Sequence, residues 1–249
     1  MKYTIMTFNI RIDVITDGKH RFSKRLPLIL DTLEKLNLDI ICFQEITRKM
    51  YKKLTPLLEK YDVVGEYRDD EIFGEANFIF IKKNKFKIVN HETRWLSPTP
   101  LIPKTRYKGD QSILPRIITS VRLQTLDNKY FNVFNTHFDH EGINSRLESA
   151  KQISQQINEI KDIEPLILTG DFNAKPNENS IKILTQSLID TTSNILHTFH
   201  QYGKDNNNNK IDYIFVNKMI KYLPTQIIIS HQKGHYLSDH HPILMNFEI

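Results

Sequence analysis

The chain has 249 residues, 39% of them hydrophobic, 10% aromatic and 25% charged, the make-up of a globular protein large enough to bury a core without covalent staples. A single cysteine, Cys42, excludes an internal disulfide framework, and no apolar run approaches the roughly 20 residues of a membrane-spanning helix. Lys and Arg number 34 against 29 Asp and Glu, so the formal charge is +5: a mild bias toward anionic partners, far from the dense basic face of a protein that coats nucleic acid.

Residues 3–11 form a β-prone run ending in polar residues. They lack the apolar core and small-residue cleavage site of a signal peptide, so a cytoplasmic location is expected. Leu26, Ile29, Leu30, Leu33 and Leu36 recur at helical spacing, which predicts an amphipathic helix over 24–37. A buried strand at 38–45 emerges on Gln44 and Glu45, and a second helix is predicted over 47–60. This β-α-β-α order places strand-end side chains at a cleft. Segments 62–67, 76–82, 85–92, 117–126 and 129–137 then read as strands, the last two joined by an Asp127-Asn128-Lys129 turn. Between them, 95–115 is one long loop punctuated by Pro98, Pro100, Pro103, Gly109 and Pro115. Helical spacing returns at 143–160. A buried strand over 165–169 opens onto Gly170-Asp171-Phe172-Asn173, and a helix is predicted over 178–189. Residues 203–210 have the composition of a polar, disordered loop, and strands near 211–216, 222–230 and 242–248 close the chain. No repeat or linker divides the sequence, so one catalytic domain over 1–249 is expected, with two packed sheets and helices outside. No protein partner is legible, and a monomer is the expectation.

The strand ends carry chemistry. They deliver Asn9, Glu45, His137, Asp171 and Asn173, with Asp212 early in a later strand and Asp239-His240 before the last one. Singly, each has a plain structural reading: a turn residue for Asn9, a helix N-terminal charge for Glu45, a turn or cap for Asp171 and Asp239. Together they suit metal-assisted phosphoester hydrolysis. A hard divalent ion takes oxygen ligands, which Glu45 would supply with Asn9 and Asp239 as neighbours. Asp171 would orient or deprotonate the attacking water, and Asn173 would donate to the developing oxyanion. His240 needs a carboxylate to fix its tautomer and favour its charged form, for which Asp212 is the candidate. His137 would be a second donor to phosphate. Water would attack phosphorus in line, with no covalent intermediate.

Thr7-Phe8-Asn9-Ile10-Arg11, Phe43-Gln44-Glu45, Asn135 through His140, Thr169 through Asn173, Ile211 through Phe215 and Ser238 through Pro242 occur in that order. The pattern resembles the endonuclease/exonuclease/phosphatase superfamily, which includes pancreatic deoxyribonuclease, abasic-site endonucleases, sphingomyelinases and inositol-polyphosphate phosphatases. The resemblance implies a four-layer α/β/β/α sandwich and dependence on Mg²⁺ or Mn²⁺. It makes Glu45 the metal carboxylate with Asn9 and Asp239 beside it, has Asp171 and Asn173 engage water and phosphate, and pairs His240 with Asp212. His137 follows the deoxyribonuclease and sphingomyelinase pattern, whereas abasic-site endonucleases place tyrosine there. Residues 95–100, 115–117, 135–150 and 198–200 look like a bacterial branch of superfamily hydrolases. By that likeness Arg116 and the Glu75-Ala76-Asn77 stretch face the pocket, which makes Arg116 and Asn77 candidate substrate contacts.

The expected substrate is a phosphoester, with a phosphodiester and a nuclease role first, and a small-molecule, sugar- or lipid-phosphate ester as the alternative. Two other readings carry less. Asn135, His137, Asp139 and His140 lie one residue from the H-x-H-x-D-H motif of zinc hydrolases, but the missing histidine leaves too few nitrogen ligands. A non-catalytic polyanion-binding relative would be expected to have lost some of Glu45, Asp171, Asn173, Asp212, Asp239 and His240, and all six are present.

Overall fold

Strand parity sets the layering. In the computed structural model, which describes residues 1–249 except Asn206, Ser230 and Lys233 and, for Gln232, only the backbone, alternate side chains of β1 (Lys2–Asn9) and β2 (Ile40–Gln44) part company. Tyr3, Ile5, Ile40 and Cys42 enter a core between two sheets, whereas Met6, Phe8, Ile41 and Phe43 enter a second core beneath helices. Each such side chain removed from water contributes about 1.5–3 kcal/mol.

In chain order, α1 (Phe22–Leu36) follows β1; β3 (Ile46–Thr47), α2 (Arg48–Lys53), α3 (Thr55–Leu58), β4 (Tyr61–Val64), β5 (Glu75–Ala76) and β6 (Ile79–Lys82) follow β2. Next come β7 (Phe86–Trp95), β8 (Ile117–Thr125), β9 (Tyr130–His137), α4 (Ile143–Asn158), β10 (Leu166–Asp171), α5 (Asn179–Leu184) and β11 (Ile189–Asp190). The chain closes with β12 (Asp212–Val216), β13 (Lys221–Tyr222), β14 (Gln226–Ile227), β15 (His231–Gln232), β16 (His235–Tyr236) and β17 (Ile243–Glu248).

One sheet runs β13-β17-β1-β2-β6-β4, with β14 also on β17; the other runs β11-β12-β10-β9-β8-β7. Each is mixed, with β1–β2 and β9–β10 as parallel pairs. The α1–α3 side covers the first sheet, and α4 and α5 cover the second through Phe134, Ile153, Leu168 and Phe215. The four layers expected from the sequence are therefore present. Among the described residues no helix is long and apolar enough to cross a membrane.

Several boundaries differ from the sequence reading, each for a local reason. The helix expected over 47–60 is two helices, because Pro56 has no N–H to continue the ladder and Thr55 Oγ1 donates to the Lys52 carbonyl instead, at 2.9 Å. The helix expected over 178–189 ends at Leu184, since Ile189 and Asp190 pair with β12 as an edge strand. The strand expected over 222–230 is interrupted around Pro224, which offers no ladder donor; its last residue, Ser230, lies outside the described residues. The 85–92 strand extends to Trp95, and Glu75–Ala76 leaves the 76–82 strand to pair with β3. In the polar 203–210 loop Asn206 lies outside the described residues. Beside it, Asp205 accepts from the Asn207 N–H at 2.8 Å, and the Asn209 carbonyl accepts from the backbone of Thr198 and Phe199.

A buried polar strut joins the two sheets. Gln44 donates to Asn135 Oδ1 at 2.7 Å and to Thr7 Oγ1 at 3.1 Å, while Asn135 Nδ2 donates to the Phe43 and Phe78 carbonyls. Asn135 thus works as a cross-sheet link. One residue beyond this strut along β2 lies Glu45.

Candidate active site

Both sheets deliver their polar strand ends to one place. Register sets Asn9 beside Gln44 in the first sheet and Asp171 beside both His137 and Asp212 in the second. Asn9 Nδ2 closes the gap by donating to Glu45 Oε1 and to Asp171 Oδ2, each at 2.9 Å. Two oxygen acceptors fix which end of the carboxamide faces them. Asn9 Oδ1 accepts from the Arg11 N–H at 3.0 Å, and the second oxygen of Glu45 accepts from the Ile12 N–H at 2.7 Å.

The backbone is bent to make this meeting. Arg11, Glu45, Asn173, Gln201 and Tyr202 all line the cleft with φ between 47° and 66°. Left-handed backbone costs on the order of 1 kcal/mol or more at such residues, so the surroundings must hold it. Part of that hold comes from buried Arg25, whose guanidinium donates to the carbonyls of Ile10, Arg11, His20 and Leu237 and so ties the chain on both sides of the site.

His240 and Asp212 are buried and paired, with Nδ1 to Oδ2 at 2.8 Å. Burial opposes the charged imidazolium, but Asp212, with Asp171 and Asp239, outweighs it and raises His240 to about 10. His240 Nε2 lies 3.8 Å from Asp171 Oδ2, and His137 Nε2 lies 3.6 Å from the same oxygen. Burial, reinforced by the charges of Arg116 and Arg68, holds His137 well below its ordinary value, so this second imidazole is neutral. Asp171 moves the other way: burial and the neighbouring Asp212 push it up to about 7, against His240, the Asn173 N–H and Asn9. That value suits a proton acceptor near neutral pH. Asn173 donates its N–H to Asp171 Oδ1 at 2.9 Å and its Nδ2 to the Phe138 carbonyl at 3.1 Å.

The donor set fits a hard divalent cation. Glu45 and Asp239 line the cleft beside Asp171, and all three offer oxygen. Burial raises Asp239, and repulsion from Glu45 adds to it; burial raises Glu45 too, but Arg11, the Ile12 N–H and Asn9 hold that carboxyl below its usual range. Two close carboxylates, one already unsettled by the other, are the environment a cation relieves. Asp171, Asp212 and His240 also lie within 4.8 Å of one another. The Asp212 oxygen nearest His240 is already taken by Nδ1, so that trio is better spent as a hydrogen-bonded relay than as a ligand set.

Farther along the cleft, Arg116 has 3% of its surface exposed; it sets Nε 3.4 Å from Asp139 Oδ2 and Nη2 2.9 Å from His140 Nδ1, while Nη1 has no partner among the described residues. Asp139 is locked by the Ser112 hydroxyl and the N–H groups of Ser112 and Gly142. Glu75 also lines the cleft and forms a two-point pair with Arg68, at 2.8 and 3.0 Å. Burial pushes Glu75 up to about 7, with Arg68 pulling it down and Glu45 pushing further. Asn77 is placed differently: it is buried outside the cleft lining, donating to the Ile117 carbonyl at 2.9 Å and so joining the sheets.

Sequence reasoning set Glu75 at the pocket only through the family likeness and singled out neither Arg11 nor Gln201, Tyr202 and Lys204; all of them line the cleft. Arg11 stood inside a quoted motif and could have been found there; Arg68 and Tyr202 come from loops with no local signal. The strap at 198–201 is clipped to the site: the N–H groups of His200 and Gln201 donate to the Asp239 carbonyl, and Thr198 Oγ1 accepts from the Asp212 N–H. The cleft encloses about 500 Å³, within the range of small-molecule sites.

Carboxylates that could hold a divalent cation, a buried His–Asp pair and a buried aspartate beside it are groups that hydrolysis of a phosphate ester can use. The chain belongs to the Endonuclease/Exonuclease/phosphatase family, whose family model matches residues 6–240. It is similar to an endonuclease/exonuclease/phosphatase from Bacteroides vulgatus (TM-score 0.91, 29% identity, covering 100% of this chain and 99% of that one). It is also similar to a mannosyl-6-phosphatase from Bacteroides thetaiotaomicron (TM-score 0.87, 28% identity, covering 99% and 100%). A protein of Acanthamoeba polyphaga mimivirus is 27% identical over 92% of this chain and 93% of its own length.

Proposed function

We propose that the protein hydrolyses the phosphate monoester of a small hydroxylated molecule, of the sugar-phosphate class, with Mg²⁺ or Mn²⁺. One observation carries this reading. The half-open cleft offers about 500 Å³, and its wall beyond the catalytic group mixes Glu75, Arg116 and His140, where a polynucleotide would want a long basic track. Similarity to a mannosyl-6-phosphatase supports the same substrate class.

A cation held by Glu45 and Asp239 would withdraw charge from a phosphoryl oxygen and from the leaving oxygen. Asn9 acts through its neighbours, keeping Glu45 and Asp171 in register. Asp171 accepts the proton of the water that attacks phosphorus in line. His240, charged and steadied by Asp212, donates to the phosphoryl group, and neutral His137 is a second donor beside it. Asn173 adds a hydrogen bond to the developing oxyanion. The bond from phosphorus to the leaving oxygen breaks, the leaving oxygen takes up a proton from solvent while Asp171 returns the one it accepted, and phosphate and an alcohol result.

Nucleic acid is the second reading, favoured by the +5 charge and by Arg11 and Lys204 at the cleft. A substrate panel tests both: hexose 6-phosphates, inositol phosphates, sphingomyelin, abasic DNA, DNA and RNA, each with Mg²⁺ or Mn²⁺, with chelator, and with His240→Ala. Hexose phosphates should be the best substrates, and chelator or His240→Ala should abolish turnover. Turnover of nucleic acid alone would overturn the substrate class, and activity surviving chelation would overturn the mechanism.

A further inference from the structure

Glu75 is the carboxylate in the cleft that neither the cation group nor the His–Asp pair uses. It is held hard. β5 pairs with β3, which sets Glu75 beside Thr47, two residues on from Glu45. The Arg68 N–H donates to the Glu75 carbonyl at 2.9 Å, and the Arg68 guanidinium grips the Glu75 carboxylate at two points. Trp95 Nε1 fixes the Arg68 carbonyl at 2.8 Å. At Gly74, which closes this loop, a Cβ would lie 2.8 Å from the Asp69 carbonyl oxygen, so the tight turn needs glycine.

A two-point pair occupies one acceptor direction on each carboxylate oxygen and leaves others free, and Glu75 lines the cleft. Near it, Arg116 keeps one guanidinium nitrogen buried and, among the described residues, unpartnered. A buried donor without a partner is costly, and a ligand oxygen would remove that cost. This wall carries no excess positive charge: Arg68 and Arg116 pair with Glu75, Asp69 and Asp139. Such a wall offers nothing to a second phosphate and both donors and acceptors to neutral hydroxyls, each of which gives one hydrogen bond and takes others.

Resting on the phosphomonoesterase reading above, we propose that Glu75, braced by Arg68, and Arg116 form a subsite that reads adjacent hydroxyls of a polyol phosphate. Glu75 accepts from the hydroxyls, Arg116 Nη1 donates to one of their oxygens, and Glu75 is the specificity-determining residue.

The test compares a hexose 6-phosphate with phenyl phosphate, which has no hydroxyls, in the wild type and in Glu75→Gln, with Mg²⁺ held saturating. Because a hydrogen bond to a charged group is worth about 1.5–3 kcal/mol, kcat/KM for the hexose phosphate should fall about 10–100-fold, chiefly through KM. Phenyl phosphate turnover should stay within about twofold, which also reports that the variant folds. The double variant Glu75→Gln with Arg68→Gln removes both members of the buried pair and should give the same loss of selectivity. Equal decline on both substrates, unchanged selectivity, a raised Mg²⁺ requirement in place of lost selectivity, or loss of phenyl phosphate turnover in both variants would overturn the subsite while leaving the hydrolase reading intact. A wild type that hydrolyses neither ester would overturn both.

Discussion

Asp212→Asn probes the His240–Asp212 pair with little change of shape. The pair is buried, its contact is 2.8 Å, and among the described residues Asp212 is the only carboxylate within hydrogen-bonding distance of the His240 ring. Lifting a histidine from 6.5 to about 10 corresponds to a net of on the order of 4–5 kcal/mol in favour of the charged form, left after burial has opposed it and Asp212, Asp171 and Asp239 have outweighed burial. Asp212 supplies the largest share, so the substitution should destabilise the metal-free protein by about 3 kcal/mol, in line with the cost of breaking a buried ion pair. The effect has a pH signature. A group whose folded value is raised contributes stability in full below its unfolded value and loses it as pH rises through the folded value. The difference in unfolding free energy between wild type and variant should therefore be largest near pH 6 and shrink toward about pH 10. Urea unfolding in EDTA across that range measures it. Turnover should fall on the order of 10²–10⁴-fold, because the imidazole loses the group that fixes its tautomer and charge. A stability difference that stays flat from pH 6 to 10, or turnover near wild type, would refute a charged His240.

Other consequences are open to simpler tests. Saturating Mg²⁺ should raise the melting temperature of the wild type by mass action, and Glu45→Gln should remove that rise together with activity; an unchanged rise in the variant would place the cation elsewhere. At Gly170 an added Cβ would press against the Thr136 carbonyl, 3.0 Å from its carbon and closer still to its oxygen. Gly170→Ala should therefore cost about 1–3 kcal/mol by forcing β9 from β10 and shifting Asp171, measurable as a lowered Tm together with lost activity; a variant with wild-type Tm would show that the strands can give.

The sequence made the candidate site legible as a cluster because its residues are local to strand termini. Asn9, Glu45, His137, Asp171, Asn173, Asp212, Asp239 and His240 each end or flank a strand, and hydrophobic parity marks which strands are buried. The far wall of the cleft was harder to read. Glu75 sat at the edge of a segment assigned to one strand, and its partner Arg68 comes from a loop held by Trp95 on the other sheet. Asn77 lay in the same stretch as Glu75, yet the kink between β5 and β6 turns it toward the Ile117 carbonyl. Helix ends failed for the same reason: the break at Pro56 is local, but whether Ile189 continues a helix or joins a sheet edge depends on β12, far away in sequence.

The central claim is that water, activated beside Asp171, attacks phosphorus in a cation-dependent site. Hydrolysis of a hexose 6-phosphate in ¹⁸O-labelled water tests it most directly. One label per turnover should enter the phosphate and none the sugar, with no label in either when metal is chelated or His240 is replaced by alanine. Label in the sugar hydroxyl, or turnover that persists without metal, would contradict the account.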